Sequence, residues 1–559
     1  MRRMTWLIGA AVLAGTIVSS AQAGAPSPSQ LATADHRGGT MRLVAASAGG
    51  TLDPQINYTL QYWQLYQSMY DGLVTFKHAA GSEGFIIVPD LAEEMPAPQD
   101  GGKTYVFKLR KGIKFSNGQD LTVKDVVASF QRIFKISGPT SGTFYNGIVG
   151  ADACLKTAET CTLEGGVVGD EAAGTVTIHL VAPDSEIFDK LAVPHAVILP
   201  AGAPAKDAGS EIIPGTGAYM AAAYDTNKQL KLVRNPYFKE WSKDAQPDGY
   251  PDEIDMDFGL TEEAEVTAVE NGQADWMFDQ PPADRLGEMG SKYKDRVFIN
   301  TLTAMYYMPM NTNIPPFDNV KARQAVNYAI DRKATVKLFG GPKLAAPACQ
   351  VLPPGFPGFE AYCPYTKNPA EKWTAPDLAK AKQLVKESGT AGQKVTIIVE
   401  DLAPNRAIGV YMQSLLKSLG YVADVKVMAS NVQWPYIQNT KNKVQISLSE
   451  WYQDYPAASD FLNVLFGCDS FHPEADASVN IAGFCDKAID AKMKDAQATG
   501  ITDDAAANKK WAQIDKDVTD AAAAAVLFTP KHVDFISKRV GNFMFNGQYY
   551  WVVTQSWVQ

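Results

Sequence analysis

The sequence predicts an α/β protein built from more than one unit, and three observations carry that expectation. The chain has 559 residues, which at roughly 150 residues per domain corresponds to three or four domain-sized units. Hydrophobic residues make up 46% and charged residues 20%, enough apolar material for large cores and too little charge for a disordered chain. Residues 394–428 read strand, helix, strand, a βαβ unit whose crossover is expected to be right-handed.

Taken in chain order, the first element is a leader. Arg2 and Arg3 precede an apolar run from Trp6 to Val18, and Ala21 and Ala23 form a small-residue exit. That order predicts a secretory signal peptide over 1–23, cleaved after Ala23. The apolar run is shorter than the roughly 20 residues that span a bilayer. Gly24 would become the new terminus, so no lipid anchor is expected, and residues 24–37, rich in Pro, Ser and Ala, read as a flexible lead-in. Tyr105, Phe107 and Leu109 alternate along a strand over 104–110. Thr122–Phe134 places Val126, Val127, Phe130 and Phe134 at helical spacing, and period two returns in Val176, Ile178 and Leu180, then in Leu230 and Leu232. This first half has an α+β character. Later, Thr374 precedes a helix with Pro376 and Asp377 in its first turn and Gly389 at its end. Lys394–Glu400 reads as a strand. Ala403–Leu419 reads as a helix with Ile408, Met412, Leu415, Leu416 and Leu419 on one side and Gly420 as its stop. Val422–Met428 and Ile446–Leu448 are further strands, and Ala521–Ala525 is expected to be helical rather than a linker.

Charge and cysteine usage narrow the function. Lys plus Arg is 51 and Asp plus Glu is 61, a net −10; loss of the leader with its two arginines makes it −12. Such a chain lacks the positive field that nucleic acid or an anionic membrane surface requires. Six cysteines permit 15 pairings. Their short spacings and an oxidising destination favour three local loops, Cys154 with Cys161, Cys349 with Cys363, and Cys468 with Cys485. No C-x-x-C occurs and the six histidines are scattered, so no metal cluster is expected. No G-x-S-x-G elbow, H-E-x-x-H, phosphate loop or lactamase set is present. Accordingly, no catalytic residue and no cofactor are expected.

The remaining signal is aromatic. Tyr58, Tyr62, Trp63, Tyr66 and Tyr70 crowd one early segment, and Trp451, Tyr452 and Tyr455 surround Asp454 after a predicted strand. A carboxylate walled by aromatic faces suits a ligand ammonium group. The competing reading is that these rings are core and that Asp454 caps a helix beginning near Pro456.

These segments also carry a likeness. Thr51-Leu52-Asp53-Pro54, Tyr70-Asp71-Gly72-Leu73, Pro89–Ala92, Thr104–Phe115, Asn117-Gly118 and Thr122–Arg132 form its first half. Gly215–Tyr219, Leu232–Pro236, Asn311-Thr312, Pro315-Pro316-Phe317, Val320–Val326, Ala329–Arg332, Trp451–Pro456, Phe461–Asn463 and Ile481–Asp490 continue it. With these motifs the chain resembles the family 5 extracellular solute-binding proteins of ABC importers, the dipeptide- and oligopeptide-binding type. The resemblance implies a two-lobed periplasmic-binding-protein type II fold with an extra subdomain in the larger lobe. That lobe would comprise 38–305 plus 530–559, its insert about 75–210, and the smaller α/β lobe 306–529. It further implies a periplasmic, monomeric receptor that captures a small peptide between hinged lobes, delivers it to an inner-membrane ABC permease and performs no chemistry. Asp454 would pair with the ligand's α-amino group, with Trp451 in register and Tyr452 beside it. By position, Tyr58, Trp63, Phe144 and Tyr145 would face the cleft from the larger lobe. The cysteine pairs are outside the general family pattern. A same-fold receptor for a chelated metal, haem or opine-like conjugate is the alternative, and a secreted hydrolase a more distant one.

Overall fold

The computed structural model describes residues 36–473 and 478–559. The expected signal peptide, and the lead-in as far as residue 35, lie outside the described residues. The last two lead-in residues are held: His36 stacks on Trp557 at 4.2 Å between ring centres, and Arg37 pairs with Asp248 at 2.9 Å.

Thr40–Ala45 lies inside a five-stranded mixed sheet, between Trp276–Met277 and Glu253–Phe258 and parallel to both; Gln229–Arg234 and Tyr219–Asp225 complete the order. Period-two alternation turns Leu230 and Leu232 inward, opposite Met256 and Ile254. Beside this sheet sits a three-stranded antiparallel one, in the order Thr104–Lys108, Thr175–His179, Val167–Asp170. The helix Val123–Lys135 packs on it and buries Val126, Phe130 and Phe134. Its start is fixed by the Asp125 carboxylate, which accepts from the Thr122 backbone N–H at 2.8 Å. Within that helix, Arg132 reaches the buried Asp53 carboxylate at 2.5 Å, which ties the helix to the early Thr51–Pro54 segment. Gly215 and Gly217 earn their place by close approach: a Cβ on either would sit 2.1 Å from the Met69 carbonyl oxygen or 2.3 Å from that of Ser68.

The βαβ unit forms as expected. Lys394–Glu400 pairs in parallel with Val422–Met428 and with Ile446–Ser447. The helix Ala403–Ser418 crosses between them with Ile408, Met412, Leu415 and Leu416 buried, and Gly420 at φ +100° reverses the chain. These residues share a core with Met308, Met310 and Phe528 that is separate from the core under the five-stranded sheet. Joining the two regions is the twelve-residue strand Ala524–Phe535. Its first half pairs with Ala304–Pro309 and its second half with Val297–Thr301, both antiparallel.

Two expectations need correction. The helix after Thr374 begins later, at Leu378, and Asp377 caps it by accepting from the Lys380 N–H at 2.9 Å rather than sitting in its first turn. Ala521–Ala525 is not helical. Asp504–Asp520 is the helix, Ala522 turns at φ +53°, and Ala524 and Ala525 open the long strand. Alanine's helix preference is overridden by pairing of Ala524 and Ala525 with Pro309 and Met308, and Ala523 and Ala525 are fully buried.

All three expected cysteine pairs are disulfide-bonded, closing sequence separations of 7, 14 and 17 residues. The largest loop, Cys468–Cys485, is expected to contribute roughly 3 kcal/mol through chain entropy. Replacing both cysteines with serine should lower the free energy of urea-induced unfolding by about that amount. An unchanged midpoint would refute the assignment of stability to this loop.

Candidate functional site

The strand Ser449–Tyr452 lies at the end of its sheet and, among the described residues, pairs only with Ala304–Pro309. Alternation buries Ser449 and Trp451 and leaves Glu450 and Tyr452 half-exposed on the other face. Two residues beyond the strand, Asp454 joins them in the wall of one cavity. Opposite stands the segment Tyr58–Trp63. Between the two lies a cavity of about 460 Å³ whose wall includes Tyr58, Trp63, Trp434, Glu450, Tyr452 and Asp454, a size in the range of small-molecule sites.

Local bonding explains why Tyr58 points into this space. The Asn57 side chain donates to the Gly49 and Thr51 carbonyls, each at 2.7 Å, while its backbone carbonyl accepts from the Trp63 indole and lies 2.9 Å from His195 Nε2. Tyr58 stacks on Trp63 at 5.3 Å and meets His195 edge-on at 5.0 Å. Burial lowers the His195 imidazole to about 4, so it is a neutral spacer at physiological pH. The Tyr58 hydroxyl then donates to Asp454 Oδ2 at 2.5 Å, closing a contact between residues 396 positions apart in sequence.

Asp454 is 6% exposed. Its backbone N–H donates to the Asp460 carboxylate at 2.9 Å, and its carbonyl accepts from the Gln548 side chain at 2.5 Å. Burial raises the Asp454 carboxyl to about 7, against the lowering effect of hydrogen bonds with Tyr58 and Asp460. Burial and the Asp454 charge raise Asp460 as well. Burial, with Glu400 nearby, raises Glu450 to about 8. Among the described residues no lysine, arginine or histidine acts on Asp454 or Glu450; what lowers Glu450 is a hydrogen bond with the Trp434 side chain. Two carboxylates therefore face one aromatic cavity without a cation, a costly arrangement unless a partner arrives.

Tyr58, Trp63, Trp451, Tyr452 and Asp454 all line this cavity. Phe144 and Tyr145 do not. Both are buried, Phe144 meeting Tyr455 edge-on at 5.2 Å and Tyr145 donating to the Lys190 carbonyl at 2.9 Å. Asp454 caps no helix: the next one, Ala458–Phe466, has Ala457 at its cap. Sequence reading missed Asn57, His195, Asp460, Gln548, Trp434 and Glu450. Only Glu450, one residue before Trp451, carried a local signal. Among the described residues, no group of three His, Cys, Asp or Glu side chains is placed to hold a metal ion.

The fold and this cavity can now be set beside known proteins. Residues 87–472 match the family model described as bacterial extracellular solute-binding proteins, family 5 middle. The chain belongs to this family. A probable deoxycholate-binding periplasmic protein, YgiS of Escherichia coli K12, is 25% identical over 572 aligned positions that cover 97% of this chain and 96% of that one. Among solved structures, clavulanic acid biosynthesis oligopeptide binding protein 2 superposes with a TM-score of 0.82 at 22% identity, covering 94% of this chain and 96% of the other. The Escherichia coli murein tripeptide binding protein MppA gives 0.77 at 20% identity, covering 94% and 99%; its unliganded open form gives only 0.66. The two-lobed α/β architecture of these receptors is thus the architecture of this chain, and members of the family bind solutes rather than transform them.

Proposed function

We propose that the protein is the periplasmic receptor of an ABC importer and captures a small peptide between its lobes, with Asp454 taking the α-amino group. The observation that carries this reading is the buried Asp454 carboxylate, with no compensating cation among the described residues and hydrogen-bonded to Tyr58 across an aromatic cavity. An ammonium supplies the missing charge, and the rings supply apolar and cation–π contact. The open edge of Ser449–Tyr452 suits the backbone of an extended peptide, whose donors and acceptors need strand-like pairing. Peptides are also what the names of several related receptors specify, among them that of MppA.

In this reading the larger lobe comprises 38–305 and 530–559, with an insert near 75–210, and the smaller lobe 306–529. The hinge falls where Ala524–Phe535 changes partners; there the Leu302 N–H donates to the Pro530 carbonyl at 3.2 Å. The Tyr58–Asp454 bond then joins the two lobes and belongs to the closed state, as the poorer fit to an open relative supports. The chain is exported by its leader, cleaved after Ala23, and acts as a monomer without catalytic chemistry.

Native mass spectrometry on protein purified without refolding, followed by a thermal-shift screen of di- and tripeptides, tests the reading. An adduct that fragments to amino-acid ions, or a peptide that raises the melting temperature, is expected. A non-peptide adduct, or a screen in which chelates stabilise and peptides do not, would overturn the peptide assignment and leave the receptor fold standing.

A further inference from the structure

The cavity holds more negative charge than one α-amino group can satisfy. Glu450 lies on the same face of its strand as Tyr452, and both line the cavity together with Trp434 and Asp454. Glu450 therefore shares this wall with Tyr452 and accepts a hydrogen bond from the Trp434 side chain, as Asp454 accepts one from Tyr58. The charge that acts on it is that of another carboxylate, Glu400, which is engaged by the Asn405 side-chain amide at 3.1 Å. Each of the two cavity carboxylates is thus backed by a second acid, Asp460 behind Asp454 and Glu400 beside Glu450, and among the described residues no cation acts on either. A neutral peptide leaves one of these two sites with its charge unpaired or its proton retained.

Building on the peptide reading, we propose that Glu450 is a specificity residue and that the favoured ligands carry a second cationic group, a lysine or arginine side chain within the first three residues. The spacing sets that limit. The two carboxylates stand four positions apart in sequence and line one cavity. That cavity can hold an α-amino group together with a basic side chain on the same residue or one or two residues further along. An ammonium or guanidinium at Glu450 gains its charge and lies in a cavity lined by aromatic side chains, Trp434 and Tyr452 among them.

The test is calorimetric, on the full mature protein. Ala-Ala-Ala is compared with Lys-Ala-Ala, Ala-Lys-Ala and Ala-Ala-Lys, and with the same peptides carrying norleucine for lysine. At least one lysine peptide is expected to bind ten-fold or more tightly than both its norleucine counterpart and Ala-Ala-Ala. In Glu450→Gln, confirmed folded by circular dichroism, that ratio should fall close to one. Equal affinity for lysine and norleucine peptides in the wild type overturns the proposal, whether or not the variant folds. So does a lysine preference that survives in Glu450→Gln. Should no peptide of either kind bind, the peptide reading fails on its own. The paired carboxylates are then judged with spermidine, a cation of similar span: binding lost in Glu450→Gln supports the proposal for a non-peptide ligand, and no binding overturns it.

Discussion

Asp454→Asn is expected to weaken binding of a free-amino tripeptide about 100-fold while making the ligand-free protein more stable at pH 8. The first effect follows from removing one partner of a buried, hydrogen-bonded charge pair, a loss of about 3 kcal/mol. The second follows from linkage. The Asp454 carboxyl sits at about 7 in the folded protein because burial disfavours its charge, whereas an unfolded aspartate titrates near 3.9. Between those values the folded state holds the extra proton. The stability this group contributes is therefore full below about pH 4 and is lost as pH rises through 7. At pH 8 the folded protein carries an ionised, unpaired carboxylate, and Asn removes that burden. A rise of roughly 2 °C in melting temperature at pH 8, shrinking toward pH 5, is the expected signature. Calorimetry and thermal melts on the same samples check both halves. A variant that binds as tightly as the wild type would remove Asp454 from the site, and one that melts lower at pH 8 would show that its charge is compensated.

The second large effect is the pH dependence of binding itself. An ammonium pairs with the ionised form, so at acid pH the ligand must displace a proton that Asp454 holds jointly with its neighbourhood: Asp460 behind it, the Tyr58 hydroxyl in front, and Glu450 in the same cavity. Tyr58 stays protonated because burial and the adjacent carboxylate raise it. Affinity for a neutral-side-chain tripeptide should therefore rise roughly 20-fold from pH 5.5 to 7.5. Above about pH 8 it should fall again, as the peptide's own amine loses its proton. Titrations at pH 6 in buffers of different ionisation enthalpy should report close to one proton released on binding. A flat profile would mean that the ligand does not pair with this carboxylate. In Asp454→Asn the acid limb should shrink, and what remains would report Glu450.

How far the sequence could be read depended on the range of the interaction. The βαβ unit at 394–428 was legible because its signals are local: alternation in Lys394–Glu400, helical spacing from Ile408 to Leu416, and Gly420 at the position where a positive φ is needed. The cysteine pairs were legible for the same reason, each closing a short loop. Ala521–Ala525 was misread because its local preference is helical, whereas its fate is set by Ala304–Pro309 pairing from more than 200 positions away. The family likeness marked Asp454 and the Tyr58 segment one at a time, from motifs. Neither motif contains the fact that joins them. By itself the sequence determined the elements, the loops stapled by disulfides and the membership in a receptor family, because those rest on periodicity, spacing and recurring residues. Only the tertiary structure decided that Tyr58 meets Asp454, that Phe144 and Tyr145 pack away from the cavity, and that Glu450 faces it with no cation among the described residues to pair. The reason is physical: desolvation and charge pairing depend on what surrounds a group in space, and for these residues the surroundings come from distant parts of the chain.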